Sequence, residues 1–360
     1  MTPPVRVIAD LPPPEHGQAR VSACVVDRLA ARGKVAVHDI APAGGRRLPA
    51  VARALAAVAV RPSRALYMPV LAGRGTAVVI ALAGLARLRG VPVALHHHSF
   101  AYLDRRWRTL AWLVRAAGPA TEHVVLCPAM ARRLRQRYGV RRTRVVGNAA
   151  VVAGPSSPTP SFVSPFPGAG EGGERVSRPG QCPMTIGFVG AVSRAKGVDA
   201  FLDLARRMAP DVRAVVAGPV ADGDAAGVLA AASHELGERL TRRAASNDRD
   251  ALFAGIDVLV LPSRYRHEAQ PLVVLEALAR GIPVIATGRG CLPGMAQPPA
   301  LTVLPRDGAT VAAAERALAH LTPRLDTARR EARALYEALA ADSAAGLDAL
   351  TAYLAKSTSA

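Results

Sequence analysis

Apolar positions in the first 150 residues follow two alternating rhythms. Short aliphatic and β-branched runs at 5–9, 35–38, 65–68, 91–95 and 123–127 have the length and composition of buried strands. Between them, residues 17–31, 76–88, 107–117 and 130–138 repeat apolar positions at helical spacing. Strands alternating with helices in this way predict βαβ units and a parallel sheet.

The rhythm stops over 152–182, a stretch rich in Pro, Gly and Ser with no periodic apolar pattern, which reads as a linker or surface loop. It then restarts, with strands predicted at 184–189, 212–217, 258–261 and 283–286 and helices at 198–208 and 271–280. The tail, 310–354, is Ala-rich and reads as helical. The expected fold class is α/β, with two Rossmann-like, doubly wound domains facing a cleft. The first spans 1–151, the linker 152–182 and the second 183–360, its last helix a candidate to pack back on the first domain. In open α/β sheets ligands sit beyond the carboxyl ends of the strands, so the loops there are where chemistry is sought.

Composition sharpens this outline. Of 360 residues half are apolar, enough for two ordinary cores, which excludes a globally disordered chain. The formal net charge is +19, and all but three of the 46 basic residues are arginine. The charge is one-sided. Residues 1–150 hold 24 basic and 6 acidic residues, a net of +18, whereas 151–360 hold 22 and 21, a net of +1. Much of the excess lies in Arg105, Arg106, Arg108 and the arginines of 132–144. A domain of this kind expects an anionic partner, such as an anionic membrane surface or a phosphate-bearing acceptor. With only 4% aromatic residues, a base-stacking surface is not expected, and no nucleic-acid partner with it. The four cysteines, Cys24, Cys127, Cys182 and Cys291, form no Cys-x-x-Cys pair, so neither a zinc site nor a disulfide framework is expected. The apolar run at the N-terminus is broken by Asp10 and prolines, unlike a signal peptide. The longest apolar run, 75–86, is too short to span a bilayer. The expectation is a cytoplasmic protein, with peripheral attachment to the inner face of the membrane as the option its charge allows.

The most specific segment is 257–287, DVLVLPSRYRHEAQPLVVLEALARGIPVIAT. It predicts a buried strand, a polar loop, a helix opened by Pro271, and a second strand entered through Gly281-Ile282-Pro283. The N–H groups of Leu272 and Val273 at that helix start would suit a diphosphate. Glu268 precedes the helix and Glu276 lies within it. Taken singly, each is an ordinary solvated glutamate. Beside an anion site they make sense if the ligand also carries vicinal diols, which a carboxylate binds through two hydrogen bonds. A nucleotide sugar has both features.

Pro262-Ser263, Glu268, Glu276-Ala277 and Gly281-Ile282-Pro283-Val284 together resemble the signature of the retaining glycosyltransferases of family four, which have the GT-B fold. The resemblance is strong over 184–290, moderate over 5–30 and 91–150, and absent over 152–182. It implies that Glu268 contacts the donor sugar and Glu276 the donor ribose. Gly190 and Lys196-Gly197 resemble the family's Gly–loop–Lys-Gly, which implies a diphosphate-binding role for Lys196. The arginine often found after that glycine is Ala191 here, and Arg194 is the candidate replacement. Gly17 resembles the family's opening-loop glycine, where backbone approaches donor. The HHHS run resembles the strand end that carries a histidine near the reacting sugar; strand-end matching selects His98, with His96 and His97 as alternatives of register. Asn148 matches a structural asparagine at the end of the first domain. The implied activity is retaining transfer of a sugar from a nucleotide-sugar donor to a hydroxyl of a glycan or lipid-linked acceptor, in polysaccharide or glycolipid biosynthesis. It uses no metal and no cofactor beyond the donor. Two rivals stand beside it. An NAD-type oxidoreductase would need G-x-G-x-x-G after a first strand, and neither 5–9 nor 185–189 is followed by it. A non-catalytic GT-B-like binding protein would not need the glutamate pair and Lys196.

Overall fold

The computed structural model describes residues 2–12, 17–40, 47–71, 73, 75–152, 154, 184–306 and 310–357. The chain forms two compact units. The first is Met1–Val152 with Arg266–Leu272 and Ala338–Ala360; the second is Ala153–Tyr265 with Val273–Glu337. The expected linker 152–182 lies outside the described residues except for 152 and 154.

The first unit alternates β1 (Val5–Ala9), α1 (Gly17–Ala30), β2 (Val35–Asp39), α2 (Arg47–Val60), β3 (Ala65–Pro69), α3 (Gly75–Leu88) and β4 (Val93–His96). It continues through α4 (Ala101–Asp104), α5 (Arg108–Ala117), β5 (Glu122–Val125), α6 (Pro128–Tyr138) and β6 (Thr143–Val145). The six strands are all parallel in the order β2-β1-β3-β4-β5-β6. Each strand is short and the central ones are buried on both faces, which is why they read as continuous apolar runs rather than alternations. Strand residues Val5, Val7, Ala9, Tyr67, Ala94 and Val124 share one core with Val25 and Leu29 of α1 and with Leu347, Leu350 and Leu354. These last three come from the long final helix, whose residues from Ala338 onward belong to this unit.

The second unit contains β7 (Thr185–Val189), α7 (Val198–Arg207), β8 (Arg213–Ala217), α8 (Gly223–Leu236), β9 (Leu240–Arg243), α9 (Arg249–Phe253), β10 (Val258–Leu261) and α10 (Leu272–Ala279). It closes with β11 (Val284–Thr287), α11 (Leu292–Met295), β12 (Leu301–Leu304), α12 (Thr310–Leu321) and the first part of α13 (Leu325–Lys356). Its parallel strands run β12-β11-β10-β7-β8-β9, the doubly wound dinucleotide-binding order read from one edge. The order reverses between β7 and β10, so the crevice expected for a ligand lies at their carboxyl ends.

The two expected α/β sheets are present. The expectation of no disulfide framework is corrected, since Cys127 and Cys291 are each disulfide-bonded. The helical tail is built of two helices. A 3-10 turn, Thr322–Arg324, separates α12 from α13, because Pro323 supplies no N–H and ends the ladder there. Helix α2 was not legible, since its RLPAVARALAAVAV sequence is apolar all round. Helix α8 and strand β9 were also missed; Asp222 caps α8 by accepting from the Ala225 N–H. Among the described residues, no helix is long and apolar enough to cross a membrane.

Candidate functional site

In the second unit, the loop after β7 is built on glycine. Gly190 ends the strand at φ +131°, and its N–H donates to the Ala217 carbonyl at 2.9 Å. Gly197 opens α7 at φ +87°, where a Cβ would lie 2.1 Å from the Pro262 carbonyl oxygen. Only glycine permits that approach, so the loop bearing Arg194 and Lys196 is pressed against the end of β10. The Lys196 N–H donates to the Ser193 carbonyl (3.1 Å) and hydroxyl (3.2 Å), closing the turn. Its ammonium stands 5.0 Å from the Tyr265 ring centroid, a cation–π contact.

Arg194 is more than half exposed, with Asp199 at 3.8 Å and Asp224 at 3.9 Å. Arg264 donates to the Arg194 carbonyl (2.8 Å) and to both oxygens of Asp199 (2.6 and 2.7 Å). Burial works against the charge of Asp199, but the hydrogen bond from Arg264, backbone N–H donors and the Arg264 charge together outweigh it and hold that carboxyl below its ordinary value.

Helix α10 starts directly after Pro271, and Leu272 and Val273 in its first turn are half-buried. Their N–H groups have no intrahelical acceptor. Glu276 is buried and its carboxylate pairs with the guanidinium of Arg249 on α9. A second pair runs the other way. Arg280 of α10 donates to Asp250 of α9 (2.5 and 2.9 Å) and to the Glu276 carbonyl (2.9 Å). Phe253 lies between them, its ring centroid 5.8 Å from the Arg249 guanidinium and 5.0 Å from that of Arg280. Two crossed ion pairs around one aromatic ring fix α9 to α10. Sequence reasoning missed Arg249. Only the folded structure sets Arg249-Asp250 opposite Glu276 and Arg280, which are spaced i,i+4 on their own helix.

In the first unit, β4 ends at His96. His96 and His97 are fully buried, while His98 is partly exposed. The Tyr67 hydroxyl and His96 Nδ1 are 2.7 Å apart; His97 lies 3.1 Å from the Tyr102 hydroxyl and 3.0 Å from His123. The rings of His96 and His98 are 4.1 Å apart at their centroids. Burial drives His96 and His97 well below the ordinary histidine value and His123 down to about 4. These three buried rings are therefore neutral at pH 7, and of the three consecutive histidines His98 alone is partly exposed.

The segment 266–272 belongs to this unit. The Ser99 hydroxyl takes a hydrogen bond from the Ala101 N–H and lies 3.2 Å from His267 Nδ1. The Asn148 N–H donates to Gln270 Oε1 (2.6 Å), and Asn148 Nδ2 donates to the Gln270 carbonyl (2.9 Å). The stretch carrying buried Glu268 is thereby held on both sides, through His267 and through Gln270. A Cβ on Gly17 would meet Leu272 at 3.6 Å, so Gly17 stands beside the residue that opens α10. Asn148 is a structural residue here, with a contact the sequence did not disclose. Within the first unit, the structure brings together Gly17, Leu272 and the Glu268 segment next to His98. Within the second it brings together Gly190, Arg194 and Lys196, and sets Glu276 in its own clamp.

Residues 183–321 match the family model described as glycosyl transferases group 1. Solved structures extend the likeness over the whole chain. The Anabaena protein HepE in complex with UDP shares 16% identity at a TM-score of 0.68, covering 97% of this chain and 100% of that one. Sucrose-phosphate synthase from Thermosynechococcus elongatus shares 17% at 0.69, covering 98% of each. WaaG, a glycosyltransferase involved in lipopolysaccharide biosynthesis, shares 16% at 0.62, covering 96% and 99%. No curated protein sequence matches the chain. With two parallel six-stranded sheets and these structural neighbours, the chain has the GT-B glycosyltransferase fold, and its residues 183–321 are those that match glycosyl transferases group 1.

Proposed function

We propose that this glycosyltransferase moves a hexose from a nucleotide-sugar donor to a hydroxyl of a glycan or lipid-linked acceptor, with retention, as a member of family four. The observation that carries the reading is buried Glu276, within a helix whose start offers unsatisfied N–H groups, inside the segment that matches the group 1 family. A buried carboxylate next to an anion site suits a ligand that is both diphosphate and diol. The crystallised complex of HepE with UDP supports a uridine nucleotide, and the part WaaG plays in lipopolysaccharide biosynthesis supports a cell-envelope glycan.

In this reading Glu276 takes the ribose diol and Glu268 the donor sugar. Lys196 and Arg194, with the N–H groups of Leu272 and Val273, stabilise the charge that develops on the departing diphosphate. Gly190 and Gly17 let backbone come close to the donor, and His98 binds near the reacting hydroxyls. The first unit takes the acceptor, and its basic surface favours one held at an anionic membrane, placing the enzyme peripherally on the cytoplasmic face. Transfer proceeds without a resident metal or cofactor, so a chelator leaves turnover unchanged.

The test is a thermal-shift screen against UDP, GDP and their sugars, repeated for Glu276→Gln and Lys196→Ala. A donor bound by the folded state raises the melting temperature. Both variants are expected to lose that rise. Full donor binding in both overturns the site.

A further inference from the structure

The basic excess of the first unit is not spread evenly over its surface. Between Asp39 and Asp104 there is no acidic residue and there are eight arginines; between Asp104 and Glu122 there are four more and again no acid. Helices α2, α3 and α5 all lie in these stretches. Each joins parallel strands that step in one direction across the sheet, β2 to β3, β3 to β4 and β4 to β5. Right-handed crossovers therefore put all three on one face. They pack side by side, α2 on α3 and α3 on α5.

The outer surface of this layer is apolar as well as basic. Among the described residues eight large hydrophobics are exposed, and four of them are here: Leu48 (83%), Val60 (72%), Leu88 (86%) and Trp112 (57%). Arginines frame them. Arg108 lies 6.0 Å from the Trp112 ring centroid; Arg87 donates to the Arg115 carbonyl (2.9 Å), and Arg89 to the carbonyls of Val58 and Ala59. These bonds go to backbone carbonyls, which carry no compensating charge. Arg133, Arg142 and Arg144, by contrast, have carboxylates close by. Arg133 pairs with Asp104, and Glu122 lies 3.5 Å from Arg142 and 3.2 Å from Arg144.

We propose that the outer face of α2, α3 and α5 docks this protein on an anionic phospholipid bilayer, with the exposed apolar side chains entering the headgroup region and the arginines meeting lipid phosphates. This deepens the acceptor side of the proposed function, on which it rests for purpose but not for geometry. Charge selects the occupant. A second copy of the chain would set arginine against arginine across a self-complementary interface. A nucleic acid would leave Leu48, Val60 and Leu88 in contact with water. An anionic bilayer satisfies both components, since amphipathic surfaces bind through apolar insertion together with attraction to acidic lipid.

The experiment is flotation of the full chain with phosphatidylglycerol-containing vesicles and with pure phosphatidylcholine vesicles. Binding is expected only to the former and is expected to weaken with salt. Leu88→Ser with Trp112→Ser, and separately Arg53→Gln with Arg61→Gln and Arg108→Gln, are each expected to lower vesicle affinity by at least about tenfold. Arg142→Gln with Arg144→Gln, the arginines beside Glu122, is expected to change it less than about twofold. Equal binding to neutral vesicles, an equal loss from the Arg142 and Arg144 variant, or a solution dimer dissolved by the Leu88 and Trp112 changes would each overturn the proposal. Donor binding, followed by thermal shift on the same variants, is expected to persist. Failure of donor binding in the parent protein with vesicle binding intact would count against the donor site and leave this face standing.

Discussion

Glu276 owes its orientation to Arg249. The guanidinium is itself placed against the Phe253 ring, so the carboxylate is held in one orientation. A carboxylate has about four acceptor positions, and one ion pair does not exhaust them. Arg249→Gln is expected to raise the donor KM about tenfold and leave kcat within about twofold, the pattern of a lost ground-state contact. An unchanged KM would reduce Arg249 to a bond between helices. His98→Ala is expected to lower kcat about a hundredfold with donor binding retained. The buried histidines lead to a different measurement. His96, His97 and His123 have folded-state values below their unfolded ones, so the unfolded chain binds more protons as pH falls. Stability is complete above pH 6.5 and drops as pH falls from there toward about 4, the value for His123. Urea denaturation at stepped pH checks this, with a loss of about 1 kcal/mol per histidine per pH unit expected in that window. At this scale the spacing in the sequence singled out Glu268, Glu276 and Lys196 as candidates. It was silent on Arg249, because an arginine four positions before Phe253 has no spacing rule that points to a glutamate 27 residues later.

Element boundaries were legible where strands were apolar throughout and where glycine or proline ended them. The loop after β7 depends on Gly197 more than on any charge it carries. At φ +87°, with the Pro262 carbonyl where a side chain would begin, Gly197→Ala forces the loop or the end of β10 to move. It is expected to cost more than about 2 kcal/mol of stability and to weaken donor binding through Lys196. Calorimetry with and without UDP separates the two effects. Weak amphipathic contrast left α2 and α8 unread, whereas α3, as weakly patterned, was found through its long apolar run. Pro323 was visible in the sequence and breaks the helical tail by a local rule, its missing N–H.

For the molecule as a whole, the two sheets were expected from the alternation of strand and helix, and the charge split from counting. Segment 266–272, by contrast, is flanked in sequence by the second unit and belongs to the first. No local pattern announces such an exchange, because contacts such as Asn148–Gln270 join residues 122 apart. The long helix α13 makes the same exchange on a larger scale. Leu347, Leu350 and Leu354 complete a core begun by Val5 and Val7. A ribosome delivers those two groups more than 300 residues apart. The first unit thus waits, with an apolar face open, until α13 has emerged, and its pairing of early and late residues is the kind of distant contact that slows folding and invites aggregation. Removing residues 338–360 is expected to send the protein into the insoluble fraction, which sedimentation of a lysate would reveal. Chaperone occupancy during translation, more than the stability of the finished protein, becomes the quantity that limits its yield.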